Sequence, residues 1–349
     1  PNFVRTCRWS KRRAFHRPML PPNATYAALA SIYLRPWAEG VTQRQVDEAH
    51  LHWADYRDPQ WGGYLPVGSS NNRLLRVNIL AGRLHFVNCA GSKSTRRLAR
   101  QRVALRLLQW VLDAHAIPDV DLVVSIVDRP TVPKRAVPVG VAPPPVFGYA
   151  RTRAHYTIPF PPVSFDPLRW PSLHANLHRD AAPLAERAPV GLWRGACNSL
   201  CDMMKGRKCS PARDLQLLDR HMLLRAAARC PRLADVGVTA THRNCPGAPQ
   251  RAPVPMSEHA RFAFLLHVDG NGFSGRLDEL LTLGSAILKQ DSPFEAFYYP
   301  LLRRGIHYVP LARNLTDVCR ALRILTADLR GAMRTAHKGG GGGGGGGGR

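Results

Sequence analysis

The stretch STRRLARQRVALRLLQWVLDAHAIPDVDLVVSIV, Ser94 to Val127, carries the two periodicities that decide the fold class. Ala99, Val103, Leu107, Trp110, Val111 and Ala114 recur at spacings of three and four. That spacing predicts a helix from Ser94 or Thr95 to about His115 with one apolar face. Pro118 stops it, because proline removes a backbone donor and clashes with the preceding turn. Val120–Val127 is then a run of mostly apolar β-formers, the pattern of a strand covered on both faces. A helix leading into such a strand predicts an α/β sheet. Upstream, Leu74–Leu80 and Arg83–Cys89 flank Ala81-Gly82, which predicts two strands joined by a tight turn.

Downstream, Pro130 to Pro145 is too rich in proline for regular structure, and a connection of that length in a compact domain is functional or disordered. Strands are predicted again at Gly191–Gly195, Phe262–Val268 and Ala286–Lys289. Helices are predicted from Ser210-Pro211 to about Cys230, near Leu277–Leu283, and from Leu315 to about Ala336. The layout is an irregular N-terminal segment with short helices (1–70), an α/β lobe crossed by the Pro-rich segment (71–185), a second α/β lobe (186–336) and a Gly-rich tail (337–349).

The 349 residues are 45% hydrophobic and 21% charged, so the chain can bury a core and is not disordered as a whole. Its formal net charge is +25, from 49 basic and 24 acidic residues, and only seven of the basic ones are Lys. Such a chain attracts polyanions: nucleic acid, phosphorylated metabolites or anionic glycans. The arginines are scattered rather than blocked into an arm, which weighs against nucleic acid. There is no apolar run of about 18 residues, hence no predicted membrane span. No apolar segment follows the basic stretch Arg5–Arg13, so a targeting segment is not expected in this chain. Five of the eight cysteines lie between Cys197 and Cys245, and sequons stand at Asn23 and Asn314, a pattern suited to an oxidising secretory lumen.

Gly270-Asn271-Gly272-Phe273-Ser274-Gly275 matches G-x-G-x-x-G after a strand and before a helix, with Asp291 about 20 residues on, where a ribose-binding acid is expected. That keeps a nicotinamide-dependent oxidoreductase open, although Arg276 stands where dinucleotide folds take a small residue. Backbone N–H groups, the helix end, Ser274 and Arg276 together predict anion binding. Arg213, in the first turn of the helix opened by Ser210-Pro211, is a second such cation. Asp119-Val120-Asp121 spells a metal-binding D-x-D but precedes its strand, so it reads as a strand-entry turn. Cys197, Cys201 and Cys209 with His221 have a loose zinc spacing, and a disulfide or free thiols fit them better.

Several stretches together resemble the Rumi-type protein O-glucosyltransferases and the related capsule-associated xylosyltransferases. They are Asp128-Arg129-Pro130-Thr131-Val132-Pro133-Lys134, Pro145-Val146-Phe147-Gly148-Tyr149, Trp193-Arg194-Gly195, Ser210-Pro211-Ala212-Arg213-Asp214, Gly272-Phe273-Ser274-Gly275-Arg276, Gly284-Ser285 and His307-Tyr308-Val309-Pro310. They occur in the family's order across roughly residues 75–330, and an ordered set is more specific than any one motif. The resemblance implies a GT-B fold of two Rossmann-like lobes with a cleft between them. It also implies an inverting transfer of glucose or xylose from a UDP-sugar to a hydroxyl of a protein or glycan, without an obligatory metal, in the endoplasmic reticulum or Golgi lumen. By position, Asp128 is the catalytic base, and Arg213, Gly272, Phe273, Ser274, Gly275 and Arg276 fall on the donor site. One departure is Ala196, where the family carries a small hydroxyl residue that touches the donor. The remaining classes are an oxidoreductase using the Gly270–Gly275 loop and a basic nucleic-acid-binding protein.

Overall fold

The computed structural model describes residues 24–51, 74–86, 95–172, 175, 182–197, 219–239, 248–270 and 272–328. The chain divides into two compact units: Pro1–Arg169 with Pro293–Phe297, and Trp170–Ser292 with Tyr298–Arg349. Both are α/β, each built on a five-stranded sheet, as the Ser94–Val127 pattern and its repetition predict. Among the described residues no helix is long and apolar enough to cross a membrane.

The first unit contains α1 (Ala24–Leu34), α2 (Gln43–Leu51), β1 (Leu74–Leu80), β2 (Arg83–Phe86), α3 (Thr95–Ala114), β3 (Val120–Ser125), β4 (Phe147–Gly148) and β5 (Ile158–Pro159). Its sheet has the order β2-β1-β3-β4-β5. β1 runs antiparallel to both β2 and β3, while β4 and β5 continue parallel to β3. The β1–β2 turn is the tight one expected, with Ala81 and Gly82 both at positive φ (47° and 68°). Two left-handed residues give a turn whose twist matches that of the flanking strands. On α3 the burial differs from the stripe expected: Val103 and Leu107 are buried, but so are Ala104 and Leu105, while Ala99 is exposed. The cause is a second cover. Arg106 donates from Nε to Asp166 at 2.9 Å, holding the turn that ends at Asp166 against the helix. Residues before 70 contribute to this core too, since Val46 and Ala49 of α2 pack with Leu74, Val123, Val132 and Val146.

The second unit contains β6 (Ala188–Gly195), α4 (Asp219–Ala227), β7 (Ala234–Val238), β8 (Phe262–His267), α5 (Arg276–Leu280), β9 (Ala286–Gln290), β10 (Val309–Leu311) and α6 (Val318–Ala327). The sheet order is β10-β9-β8-β6-β7 and every pairing is parallel. Counted along the chain this is the doubly wound order 2-1-3-4-5, with its reversal between β6 and β8. β9 is buried along its whole length and β8 nearly so, as expected for strands with helices on both faces. β7 and β10 carry no legible strand pattern, being short and interrupted by Gly237 and Pro310. Gly237 has a packing reason: a Cβ there would lie 2.1 Å from Cγ of Arg251. The helices expected to end at Leu283 and Ala336 are seen at Arg276–Leu280 and Val318–Ala327, residues 329–349 lying outside the described set.

The core of this unit joins Trp193, Leu223, Phe264, Leu266, Leu288 and Leu322, and a Cys230–Cys319 disulfide ties the chain just after α4 to α6. β6 and α6 meet at Gly191, where a Cβ would sit 2.8 Å and 3.1 Å from the two terminal methyls of Leu322. Gly191→Ala should therefore cost about 1–3 kcal/mol by overpacking. In a Leu322→Ala background, itself costing about 2–5 kcal/mol, the same change should cost much less. Urea unfolding of the four proteins of this cycle checks it, and additive losses would refute the contact.

Candidate functional site

A doubly wound sheet takes its ligand beyond the C-terminal strand ends at the point where strand order reverses. Here that point lies between the ends of β6 and β8, at Gly195-Ala196 and at Val268-Asp269-Gly270. Two guanidinium groups occupy it. Arg220, from the first turn of α4, donates from Nη1 to the Ala196 carbonyl at 2.6 Å and from Nε to the Asp269 carbonyl at 3.2 Å. Its carbon lies 5.7 Å from the centre of a Trp193 ring. Arg276, the first residue of α5, donates from Nη1 to the Arg194 carbonyl. The glycines beside them are explained by close approach. A Cβ on Gly270 would lie 2.8 Å from Nη2 of Arg220, and one on Gly195 would lie 2.9 Å from the Trp193 ring and 3.4 Å from Nη2 of Arg276.

Behind the guanidinium groups is a polar layer. His267 is buried, its Nε2 has no hydrogen-bond partner, and it stands near Lys289, Arg276 and Arg220. Burial first, then those cations, pushes its pKa well below the ordinary value and keeps it neutral. Lys289 lies 4.8 Å and 5.6 Å from the ring centres of Tyr299 and Tyr308. Asp269 is buried and accepts a hydrogen bond from the Ser292 hydroxyl; burial raises its pKa to about 6 despite that bond. Asp219, at the start of α4, is raised by burial as well, against Arg313 at 3.0 Å and the Gln290 amide at 3.0 Å. The layer is thus rich in cations held on carbonyls and rings, with few carboxylates to neutralise them. An anion is the ligand such a place favours.

The residues expected from sequence are distributed unevenly. Arg276 is at the switch point, with Gly272, Phe273, Ser274 and Gly275 leading into it; Phe273 is buried, and the Gly270 N–H donates to the Gly272 carbonyl at 3.1 Å. The expected contribution of a helix end is small, because α5 has only five residues and so little macrodipole. Arg213 lies outside the described residues. Arg220, His267, Asp269 and Lys289 were not singled out by sequence reasoning. The signal for Arg220 was its place at the start of α4, which is visible only once the helix boundary is known. The loop also follows the third strand of the 2-1-3-4-5 order, whereas a dinucleotide fingerprint follows the first.

In the first unit Asp128 lies three residues beyond the end of β3. Its carboxylate is partly exposed and paired with Arg100 Nη2 at 2.7 Å, and Arg100 comes from α3 and also donates to the Ile126 carbonyl at 3.3 Å. Arg129 beside it is lowered to about 10 by burial, with Asp128 partly offsetting. The D-x-D carboxylates have structural partners: Asp119 accepts the Ala81 N–H at 2.7 Å, and Asp121 is gripped by Arg76, which also reaches Asp47 at 2.7 Å. They belong to strand entry and to holding α2 on the sheet. Among the described residues no cluster of His, Cys, Asp and Glu is arranged to hold a metal. Cys197 is disulfide-bonded, so it offers no thiolate for a zinc site, and Cys201 and Cys209 lie outside the described residues.

The buried acid gives a pH signature. Asp269, at about 6 in the fold against an ordinary 3.8, keeps its proton where the unfolded chain has lost it. Its contribution to stability therefore falls as pH rises from about 4 to about 6. Asp269→Asn retains an acceptor for Ser292 and does not titrate. Its melting temperature relative to the unsubstituted protein should rise across that window, and a constant difference between pH of about 4 and about 7 would show the carboxyl unshifted.

Residues 67–341 match the family model described as Glycosyl transferase family 90. The chain is 26% identical over 235 residues to Protein O-glucosyltransferase 1 of Mus musculus, covering 64% of this chain and 57% of that protein. It is 27% identical over 235 residues to Protein O-glucosyltransferase 1 of Homo sapiens, covering 64% and 56%. To O-glucosyltransferase rumi of Drosophila melanogaster it is 24% identical over 214 residues, covering 56% and 47%. The chain thus spans about half the length of these relatives. A family match that takes in β1 to α6, on a doubly wound parallel sheet with two guanidinium groups at its switch point, decides the class: this chain belongs to glycosyl transferase family 90.

Proposed function

We propose that the chain is an inverting O-glycosyltransferase that moves glucose or xylose from a UDP-sugar to a hydroxyl of a protein or glycan, without an obligatory metal. The observation that carries this reading is the pair of guanidinium groups, Arg220 and Arg276, on the carbonyl ends of β6 and β8. A nucleoside diphosphate brings about two negative charges, and cations replace a metal as stabiliser of the leaving group. The relatives, which are O-glucosyltransferases by name, support glucose and a hydroxyl acceptor. The disulfides at Cys197 and Cys230–Cys319 support an oxidising lumen, the endoplasmic reticulum or Golgi.

In this mechanism the second unit holds UDP by Arg276 and Arg220, with Ser274 and Arg213 as further donors. Asp128 of the first unit takes the proton of the acceptor hydroxyl. The hydroxyl oxygen attacks the anomeric carbon as the bond to the UDP oxygen breaks on the opposite face, so configuration inverts. Charge grows on the departing diphosphate, where the guanidinium donors act. Arg100 holds the Asp128 carboxylate in one orientation at 2.7 Å.

Arg276→Ala should weaken UDP binding by about 1.5–3 kcal/mol, the worth of a hydrogen bond to a charged group, while uridine, which has no phosphate, should be affected little. Calorimetric titration of both ligands checks this, and unchanged UDP affinity would refute the diphosphate assignment. Asp128→Asn should lower sugar transfer on the order of 10²–10⁴-fold with UDP affinity and melting temperature nearly unchanged. Near-normal turnover in that variant would refute Asp128 as the base.

A further inference from the structure

The first unit contains a cavity of about 610 Å³ that the sugar-transfer reading has not used. The volume is in the range that holds a ligand of several residues or a small molecule. Its walls come from three segments: the end of α1 with the turn after it, the Pro-rich stretch, and the chain leading into β5. Each contributes a cation, Arg35, Lys134 and Arg151 respectively, and among the described residues no carboxylate lines the space. Two of the cations are seated on rings. The Arg151 guanidinium carbon is 5.1 Å from the centre of Tyr33, and Lys134 Nζ is 5.4 Å from the centre of Tyr156. Such seating holds a cation in place and removes part of its water.

The walls are braced rather than loose. Trp37 Nε1 donates to the Pro143 carbonyl at 2.6 Å, tying the turn after α1 to the Pro-rich stretch. The Tyr33 hydroxyl donates to the Phe297 carbonyl at 3.2 Å. His155 is fixed by the Thr152 hydroxyl at 2.7 Å and, lowered by burial to about 4, adds no charge at neutral pH. Glu295 approaches Arg151 only at 3.5 Å, and Arg151 Nε makes no hydrogen bond. The lining includes exposed apolar side chains: Ile32 is 64% exposed and Val141 54%. Gly140, at φ +80°, turns the Pro-rich stretch so that the Val141 N–H donates to the Pro138 carbonyl at 3.2 Å.

Cations from three segments, two of them seated on rings, with apolar side chains beside them suit an acidic ligand carrying apolar groups better than an uncharged sugar. We propose that this cavity docks an acidic segment of polypeptide, with carboxylate side chains on either side of an apolar one, and that the segment belongs to the acceptor protein. The acceptor role rests on the sugar-transfer reading; the binding itself does not.

The test is fluorescence anisotropy with a short labelled peptide containing Glu-Leu-Glu, titrated with the protein in the absence of any sugar donor. Binding should weaken roughly three- to tenfold in each of Arg35→Gln and Lys134→Gln, and should fall further with added salt. Both residues are exposed, so melting temperatures should be unchanged. A Gln-Leu-Gln peptide binding equally well, both variants binding normally, or displacement of the peptide by inorganic phosphate at low millimolar concentration would each overturn the proposal. UDP titration of the same preparation separates the two readings. UDP binding without peptide binding sinks this one alone, and peptide binding without UDP binding sinks the other.

Discussion

The reversal of strand order between β6 and β8 is the constraint on which the second unit depends. Parallel strands joined by crossovers on opposite faces part at that point, and the carbonyls of Arg194, Ala196 and Asp269 at the diverging ends take side-chain donors. Backbone acceptors in such a place must be satisfied or pay a desolvation penalty. In this chain the partners are guanidinium groups: Arg276 on Arg194, and Arg220 on both Ala196 and Asp269. The same contacts meet two needs, since they satisfy these carbonyls and place positive charge at the C-terminal strand ends.

Placing cations there has consequences for everything packed behind them. Burial pulls the pKa of Arg276 down and holds His267 neutral, because another charge in that layer would lack solvent and face like charges. Lys289 rests against tyrosine rings instead of a carboxylate. Asp269 titrates at about 6 and carries its charge at neutral pH, but one carboxylate against Arg220, Arg276 and Lys289 leaves this part of the layer net positive. The glycines at 195 and 270 follow from the same crowding, since a methyl group would take the space of the Trp193 ring or of a guanidinium nitrogen.

The first unit uses arginine in another way. Arg76 reaches Asp47 of α2 and Asp121 of β3, Arg106 reaches Asp166, and Arg100 reaches Asp128. Arg76 attaches α2 to the sheet, Arg106 attaches a turn to α3, and Arg100 holds a carboxylate just past a strand end. These arginines serve structural pairing, but with 24 acids for 49 basic residues such pairing leaves the net excess of +25 in place. The cavity beside α1 is different because, among the described residues, Arg35, Lys134 and Arg151 line it with no acid in its walls, Glu295 pairing with Arg151 from behind its lining.

Local pattern alone determined the α/β class, the helix α3, the strands β1, β3, β6, β8 and β9, and the tight turn at Ala81-Gly82. Each rests on a period or a turn residue acting within a few positions of itself. The ordered motifs also pointed to the family and to Arg276, since short stretches keep their spelling wherever the fold carries them. What the chain did not display locally is what depends on neighbours distant in sequence. β7 and β10 are strands because parallel partners supply their hydrogen bonds, despite Gly237 and Pro310. α3 buries Leu105 beside a turn sixty residues on, held by Arg106 and Asp166. Arg220, His267, Asp269 and Lys289 form one layer only because β6, β8 and β9 end where α4 begins, and the cationic cavity lies between three segments distant in sequence, two of them tied by Trp37 to Pro143. Periodicity is a property of adjacent residues, whereas a site is made by strand order and packing, which bring together residues far apart in the chain.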